Sequence, residues 1–419
     1  MRMRVRPNAI DLLLVIFISI LWLFSPRPTS PGDYCGHYVS INSRMGFVVN
    51  CDAGTYAAPA ERPARLMQSQ EVRQSRPLYV LLGTIIGYPL GGLARLFVPG
   101  IDPRTPFHVG FAMLNLVLLA SSVLLFDALL SSAGVDRLVI IPLAVFLIAN
   151  DVTKAFVWTA HQQMFSLFTP LVALYLYQRI AGSPALPRLR FWALSLALGL
   201  LPLVYGNFLV ILPTLLVADA LATGWNRGGK FAGMVSRFGL AIVAFLLPTI
   251  AWIALVTWRS GSYYNHEMVV YRQLIWMADA AQTGVGGFLR TAAHNTRSFA
   301  ATFVTPEMLP FLGVCVLIPL SRTMRPADPR PAPFGIDRRI DARACLVVDA
   351  VFFLFLWALG YYQTRLTYSL IPPALCLGAM EMSRMTGTNG LSNRRLAWIL
   401  APLACIWTAY HVMKYGPFG

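Results

Sequence analysis

The residues most able to do chemistry sit in a few polar stretches of an otherwise apolar chain. In NCDAGTY (50–56) an acid, Asp52, stands beside Cys51 and four residues before Tyr56. RQSRPLY (73–79) then sets Arg73 and Arg76 ahead of a proline. NDVTKAFVWTAHQQMF (150–165) carries Asp151, Lys154 and His161; YYNHEMVVYRQ (263–273) carries His266 and Glu267; YYQTRLTYSLIPPAL (361–375) carries Arg365. A carboxylate in a partly desolvated cleft can take a proton from a hydroxyl. Arginine forks bind and neutralise phosphate oxygens. An acid with several arginines therefore fits a transfer in which an acceptor hydroxyl is deprotonated and an anionic group leaves.

Each residue also has a plain structural role open to it. Asp52 can cap the helix that follows. Arg73, Arg76 and Arg365 can anchor helices at lipid headgroups. Asp151 and Lys154 can pair with each other at a helix end, His161 can open a span with its polar neighbours, and Glu307 can cap the next helix. His266 and Glu267 could meet an acceptor or a divalent ion, but no spacing typical of a metal site is present. Asp127, Asp219 and Asp349 fall in or near apolar segments, where acids are functional candidates by default. Their places near the basic ends favour structural roles.

These residues need a scaffold, and the composition defines it. Of 419 residues 57% are hydrophobic, only 12% are charged, and the mean hydropathy is +0.60. Soluble domains carry about 25% charge. Repeated long apolar runs identify an all-α, polytopic integral membrane protein, and a β-barrel would alternate in short strands instead. The net charge of +16 belongs to loops rather than to a nucleic-acid surface, because arginine and lysine mark the cytoplasmic side of membrane helices. MRMRVRPNAIDLLLVIFISILWLFS reads as an uncleaved signal anchor. Cys315, Cys345, Cys376 and Cys405 lie in apolar runs as small hydrophobes. Cys35 and Cys51 share one polar loop and form a disulfide candidate if that loop is exported.

About eleven segments are long and apolar enough to be read as spans: 8–25, 106–133, 138–157, 162–178, 191–205, 207–224, 238–258, 308–321, 344–361, 366–383 and 396–413. A further stretch, 77–98, holds four glycines and an internal proline. If it does not cross and the N-terminus is cytoplasmic, more than half of the 34 basic residues fall in short cytoplasmic loops; if it crosses, SRTMRPADPRPAPFGIDRRIDAR is exported. The positive-inside rule selects the first arrangement. Segment 77–98 is then a surface or re-entrant helix, and two long periplasmic loops remain, 26–105 and 259–307, within a single domain over 1–419. Arginines in those exported loops point to an anionic ligand held there.

Asp52, Tyr56, Leu66–Met67, Arg76 and the PLY of 77–79, together with Arg365, Tyr368 and Pro372–Pro373, resemble the first periplasmic loop and the late helix of the GT-C glycosyltransferases. The protein O-mannosyltransferase and aminoarabinose-transferase branches are the nearest in style. The pattern departs at position 53, where Ala53 replaces the second acid of the usual pair. The resemblance implies a membrane enzyme of the bacterial cytoplasmic membrane, active on the periplasmic side. It would move a sugar from a polyprenyl-phosphate donor to a glycan, lipid or protein acceptor, with membrane lipid as its surroundings. Asp52 would then be the general base; Arg73, Arg76, Arg365 and Lys154 the donor phosphate ligands; and Tyr56, Asp151, His161, His266 and Glu267 the acceptor or sugar contacts. No cofactor is implied, and a divalent ion is the one metal option. Two rivals share the composition. An O-antigen-type polymerase or ligase also has many spans and an arginine-rich periplasmic loop. A secondary transporter or flippase would need midplane polar groups and paired broken helices, and no half-to-half symmetry is visible.

Overall fold

The computed structural model describes residues 8–26, 36–181, 186–222, 231–323, 341–388 and 392–414. Cys35 and most of the arginine-rich segment before Asp341 lie outside the described residues. After α1 (Ala9–Leu21) come three short strands, β1 (Ser25–Pro26), β2 (Gly36–Ser40) and β3 (Met45–Asn50). Then follow α2 (Ala53–Glu61), α3 (Pro77–Phe97), α4 (Thr105–Ser132), α5 (Arg137–Ile148), α6 (Asp151–Phe156), α7 (Phe165–Ala181), α8 (Arg188–Leu198) and α9 (Ile211–Ala222). The chain continues through α10 (Phe231–Ser260), α11 (His266–Val270), α12 (Ile275–Gln282), α13 (Gly284–Ala301), α14 (Leu309–Thr323), α15 (Ala342–Leu359), α16 (Thr364–Thr367), α17 (Ile371–Thr388) and α18 (Asn393–Met413).

The architecture is helical, as composition requires, with one correction. The strands form an antiparallel sheet in the order β1-β3-β2, with Gly36 opposite Asn50 and Ser25 opposite Gly46. Six consecutive residues, MGFVVN, are rich in β-formers, and a polar turn at 41–44 lets GHYVS fold back on them. By length and apolar composition five helices can cross a membrane: Pro77–Phe97, Thr105–Ser132, Val235–Ser260, Ala342–Leu359 and Asn393–Met413. Gly284–Val304 and Pro306–Leu320 pass the same test only as a pair and are bent by 77° at their junction, as in a broken span or a re-entrant loop. The other segments anticipated as spans are present as shorter or interrupted helices. Segment 138–157 breaks after Ile148, and 191–205 gives way to short 3-10 turns after Leu198.

Charged contacts gather helix ends. Asp11 on α1 meets Arg137 on α5 (Oδ1–Nη2 3.2 Å), and Asn393 at the start of α18 donates to Asp136 (3.1 Å). Asp219 on α9 accepts from both Arg237 Nε and Nη2 on α10 at 2.6 Å, while Trp192 on α8 donates to the Arg237 carbonyl. From these ends α1, α5, α8, α10 and α18 run to the opposite end of the bundle, where the polar stretches converge. Asp219 thus serves a structural ion pair.

Helix α3 is one continuous helix rather than a re-entrant pair. It packs on α2, on the turns at 63–67 and 201–203 and on α4, where it meets Pro106, Phe107 and Phe111 of the first two turns. The contact is close because glycines face the rings of α4. A Cβ on Gly83 would lie 2.1 Å from the Phe111 ring, and one on Gly87 would lie 2.2 Å from the Phe107 ring. Small residues let helices approach to backbone distance. Gly83→Val is therefore expected to cost about 1–3 kcal/mol through overpacking and to lower the melting temperature in detergent. Gly92→Val, whose Cβ meets nothing within 4 Å, serves as the control; equal melting of the two variants would remove the close-approach argument.

Candidate functional site

The site is built on the turn between β3 and α2. Asn50 closes it: its backbone amide donates to Thr159 Oγ1 (3.2 Å), and its side-chain oxygen accepts from the Asp52 amide (2.9 Å). This side-chain turn places Asp52 at the N-terminus of α2, where the helix dipole favours an anion. The carboxylate does not cap the helix. It turns outward instead, with Oδ1 3.0 Å from Arg73 Nη2 and Oδ2 3.5 Å from His161 Nε2. Arg73 is fixed by Thr55, whose hydroxyl accepts from its Nε at 2.8 Å, and by the Tyr56 ring 4.0 Å beneath the guanidinium. His161 Nδ1 accepts from the Gln163 amide (3.1 Å), so its proton sits on Nε2, toward Asp52.

Electrostatics fix the protonation states. Burial alone would raise the Asp52 carboxyl, but the His161 hydrogen bond and the Arg73 and Arg365 charges outweigh it and hold the group well below the usual carboxylate range. Burial, with the same arginine charges, pulls His161 down to about 3 despite Asp52. At neutral pH the pair is therefore an ionised Asp52 and a neutral His161 that donates to it.

A second ion pair lies across the cavity. Arg76 Nη2 is 2.6 Å from Glu267 Oε1, and Arg76 also donates to the Tyr56 hydroxyl. Ser75 Oγ donates to the other Glu267 oxygen (3.1 Å). The Arg76 charge holds Glu267 ionised against its burial. Glu267 arrives on α11, which Asn265 caps through the Met268 amide. The chain then passes through two left-handed residues, Arg272 (φ 52°) and Leu274 (φ 62°). Such backbone is strained for non-glycine residues and persists where surroundings over-determine it. Here the Leu274 amide donates to the Leu359 carbonyl (3.1 Å), and Tyr271 stacks on Tyr361 at 4.4 Å.

Arg365, on α16, behaves differently. Gln163 Nε2 donates to its carbonyl (2.9 Å), and its guanidinium stands 5.7 Å from the Phe156 ring centroid. Its Nε is buried without a partner, and among the described residues no acceptor lies within hydrogen-bonding distance of the guanidinium.

Asp52, Arg73, Arg76, His161, His266, Glu267 and Arg365 all line one cavity of about 240 Å³. Tyr205 and Asn207 complete its polar wall, and Leu203, Leu209, Phe355 and Leu359 give it an apolar side. His266 contacts Tyr264 (Oη–Nδ1 3.1 Å) at its edge. Among the described residues no group of three histidine, cysteine or acidic side chains could hold a metal ion.

Four expectations need correction or relocation. Tyr56, offered as a sugar contact, is fully buried behind the cavity and supports Arg73 and Arg76. Lys154, offered as a phosphate ligand, spends its ammonium on the carbonyls of His411 (2.8 Å), Val412 (3.1 Å) and Lys414 (2.6 Å) at the end of α18. Asp151 pairs not with Lys154 but with His411 (2.8 Å) and Lys414 (2.5 Å). It borders a separate cavity of about 280 Å³ that Arg365 also touches. Glu307 caps nothing and holds Lys414. Cys51 is disulfide-bonded, whereas Cys35 lies outside the described residues.

The sequence reading missed Tyr205, Asn207, Tyr271 and Tyr361. The signal for the first two was available: YGN interrupts an apolar run, and the chain there forms 3-10 turns at the cavity rather than continuous helix.

No known family profile matches the chain, and no curated protein matches it. Among solved structures it is similar to ArnT from Cupriavidus metallidurans bound to undecaprenyl phosphate, with a TM-score of 0.48 and 15% identity over 94% of this chain and 63% of that one. The same protein in its apo state gives a TM-score of 0.48 and 16% identity over 94% and 62%. The chain thus spans slightly less than two thirds of ArnT.

The Asp52 environment predicts an acid limb. A carboxyl whose folded pKa is depressed stabilises the fold above its unfolded pKa, and that contribution is lost as pH falls through the folded value. The difference in melting temperature between wild type and Asp52→Asn is expected to stay level above about pH 5 and to move against wild type below about pH 4, near the unfolded Asp value. A difference that is flat down to pH 3 would show that Asp52 lacks these partners.

Proposed function

We propose that the protein is a GT-C type membrane glycosyltransferase that moves a sugar from a polyprenyl-phosphate donor to an acceptor hydroxyl. One observation carries this reading. An unpaired, part-buried guanidinium, Arg365, faces the same cavity as an ionised carboxylate, Asp52, with Arg73 and Arg76 beside them. An unpaired cation is costly in a desolvated place, and a phosphate would complete it with bidentate hydrogen bonds. The apolar wall and the membrane-length helices suit a donor whose tail stays in lipid while its head enters the cavity.

In this reaction the acceptor oxygen attacks the anomeric carbon from the face opposite the phosphate. The carbon–oxygen bond to phosphate breaks, the electron pair leaves on the polyprenyl phosphate, and the acceptor proton passes to an Asp52 oxygen. Direct displacement inverts the anomeric centre. A carboxylate held far below the usual range is a weak base in the ground state. It therefore takes the proton late, once positive character on the sugar has made the attacking hydroxyl acidic, as in glycosyl transfer through oxocarbenium-like states. Neutral His161 orients Asp52, and Arg365 with Arg73 neutralises the leaving phosphate. In this reading the chain sits in the bacterial cytoplasmic membrane with the cavity toward the periplasm, and the sequence resemblance at Asp52, Arg76 and Arg365 supports the same assignment.

The test is transfer of radiolabel from polyprenyl-phosphate sugars to a membrane extract by the purified protein. Asp52→Asn is expected to bind donor normally and to lose about 10²–10⁴-fold in turnover, the usual worth of a general base. Arg365→Gln is expected to weaken donor binding by about 10–100-fold, since a hydrogen bond to a charged group is worth about 1.5–3 kcal/mol. Full transfer by Asp52→Asn would remove it as the base. Absence of transfer by wild type from any donor would favour a polymerase, ligase or transporter instead.

A further inference from the structure

Helix α13 lies outside the cavity and is divided into three faces. Gly287, Thr291, Asn295, Ser298 and Phe299 face inward. Val285, Leu289, Ala293, Thr296 and Ala300 form an exposed stripe of small or apolar residues at helical spacing, with Val285 78% and Leu289 61% exposed. Arg290, His294 and Arg297 form a second exposed stripe beside it. Among the described residues no acid pairs with any of these three. The helix meets the next apolar helix at 77°. If Pro306–Leu320 crosses a bilayer, α13 lies close to the membrane plane, where one stripe can enter the acyl region and the other meets headgroups.

We propose that α13 is a binding site for anionic phospholipid headgroups of the leaflet on the cavity side. Charge complementarity selects the occupant. Unneutralised arginines beside an apolar stripe match a lipid phosphate with its acyl chains, whereas a neutral headgroup leaves the charges unanswered. The site is also joined to the cavity wall. Phe288 of α13 stacks on Trp276 at 6.1 Å, Trp276 donates to the Ala358 carbonyl (2.8 Å), and Leu274, two residues earlier, lines the cavity.

Native mass spectrometry of the full chain in detergent tests this without any measurement of activity, so it stands or falls apart from the glycosyltransferase reading. Phosphatidylglycerol is expected to be retained several-fold over phosphatidylcholine. Arg290→Gln with Arg297→Gln is expected to bring retention down to the phosphatidylcholine level, while Arg394→Gln with Arg395→Gln, at the opposite end of the bundle, leaves it unchanged. Equal retention of the two lipids by wild type, or an undiminished excess in the Arg290/Arg297 variant, would overturn the proposal. Loss of the excess to millimolar inorganic phosphate would also overturn it, in favour of a soluble anion. A salt titration of wild type alone guards against a misfolded variant: the excess should fall as ionic strength rises, and an excess indifferent to salt would sink the idea.

Discussion

A carboxylate held ionised in a half-dry cleft is the constraint around which this site is arranged. The Asp52 side chain is 37% exposed, too little for water alone to solvate it fully and too much for the group to be a sealed structural ion. Its charge is met by Arg73 and by a neutral His161, and each of these is fixed in turn. Thr55 and Tyr56 hold Arg73, while the Gln163 amide sets the His161 tautomer. The chain of support returns to Asn50, whose bond to Thr159 ties the sheet and α2 to the segment before α7. Asn115 on α4 strengthens the same region by donating to the carbonyls of Phe156 and Thr159.

The bundle makes room for this cluster by stopping its helices early. Helix α5 ends at Ile148, α8 at Leu198, and short turns replace regular helix before α9. Interrupted helices leave backbone groups that need partners, and irregular backbone at such depth is tolerated where it borders a cavity or is buried in protein. The Asn150–Thr153 capping box and the Gln163 contacts supply those partners here. The polar residues of the cavity thus occupy the places where the apolar pattern is broken.

That relation explains what was legible in advance. Long apolar runs announced helices, because helix formation in such runs is decided by local composition. Asp52, Arg73, Arg76, Glu267 and Arg365 stood out as charges in an uncharged chain and do share one cavity. Lys154 looked equivalent by the same criterion but is spent on the end of α18, and only the return of the chain 260 residues after Asp151 to His411 decides this. The MGFVVN strand was hidden because six residues are too few to separate a strand from a short apolar helix by periodicity. Tyr271 and Tyr361 carry no charge to betray them, and their stacking across two distant loops is a property of the fold alone.

The Glu267–Arg76 pair gives the cavity an internal tenant. Glu267 is an anion of the chain's own, seated on a guanidinium in the space where an external anion would arrive. Entry of any ligand that reaches Arg76 is then an exchange of one anion for another rather than the filling of a vacant place. The affinity measured for such a ligand is a difference between two contacts, and discrimination follows from it. An incoming group must outbid a carboxylate already desolvated and hydrogen-bonded, which favours a phosphate with several acceptor oxygens over a poorly oriented anion.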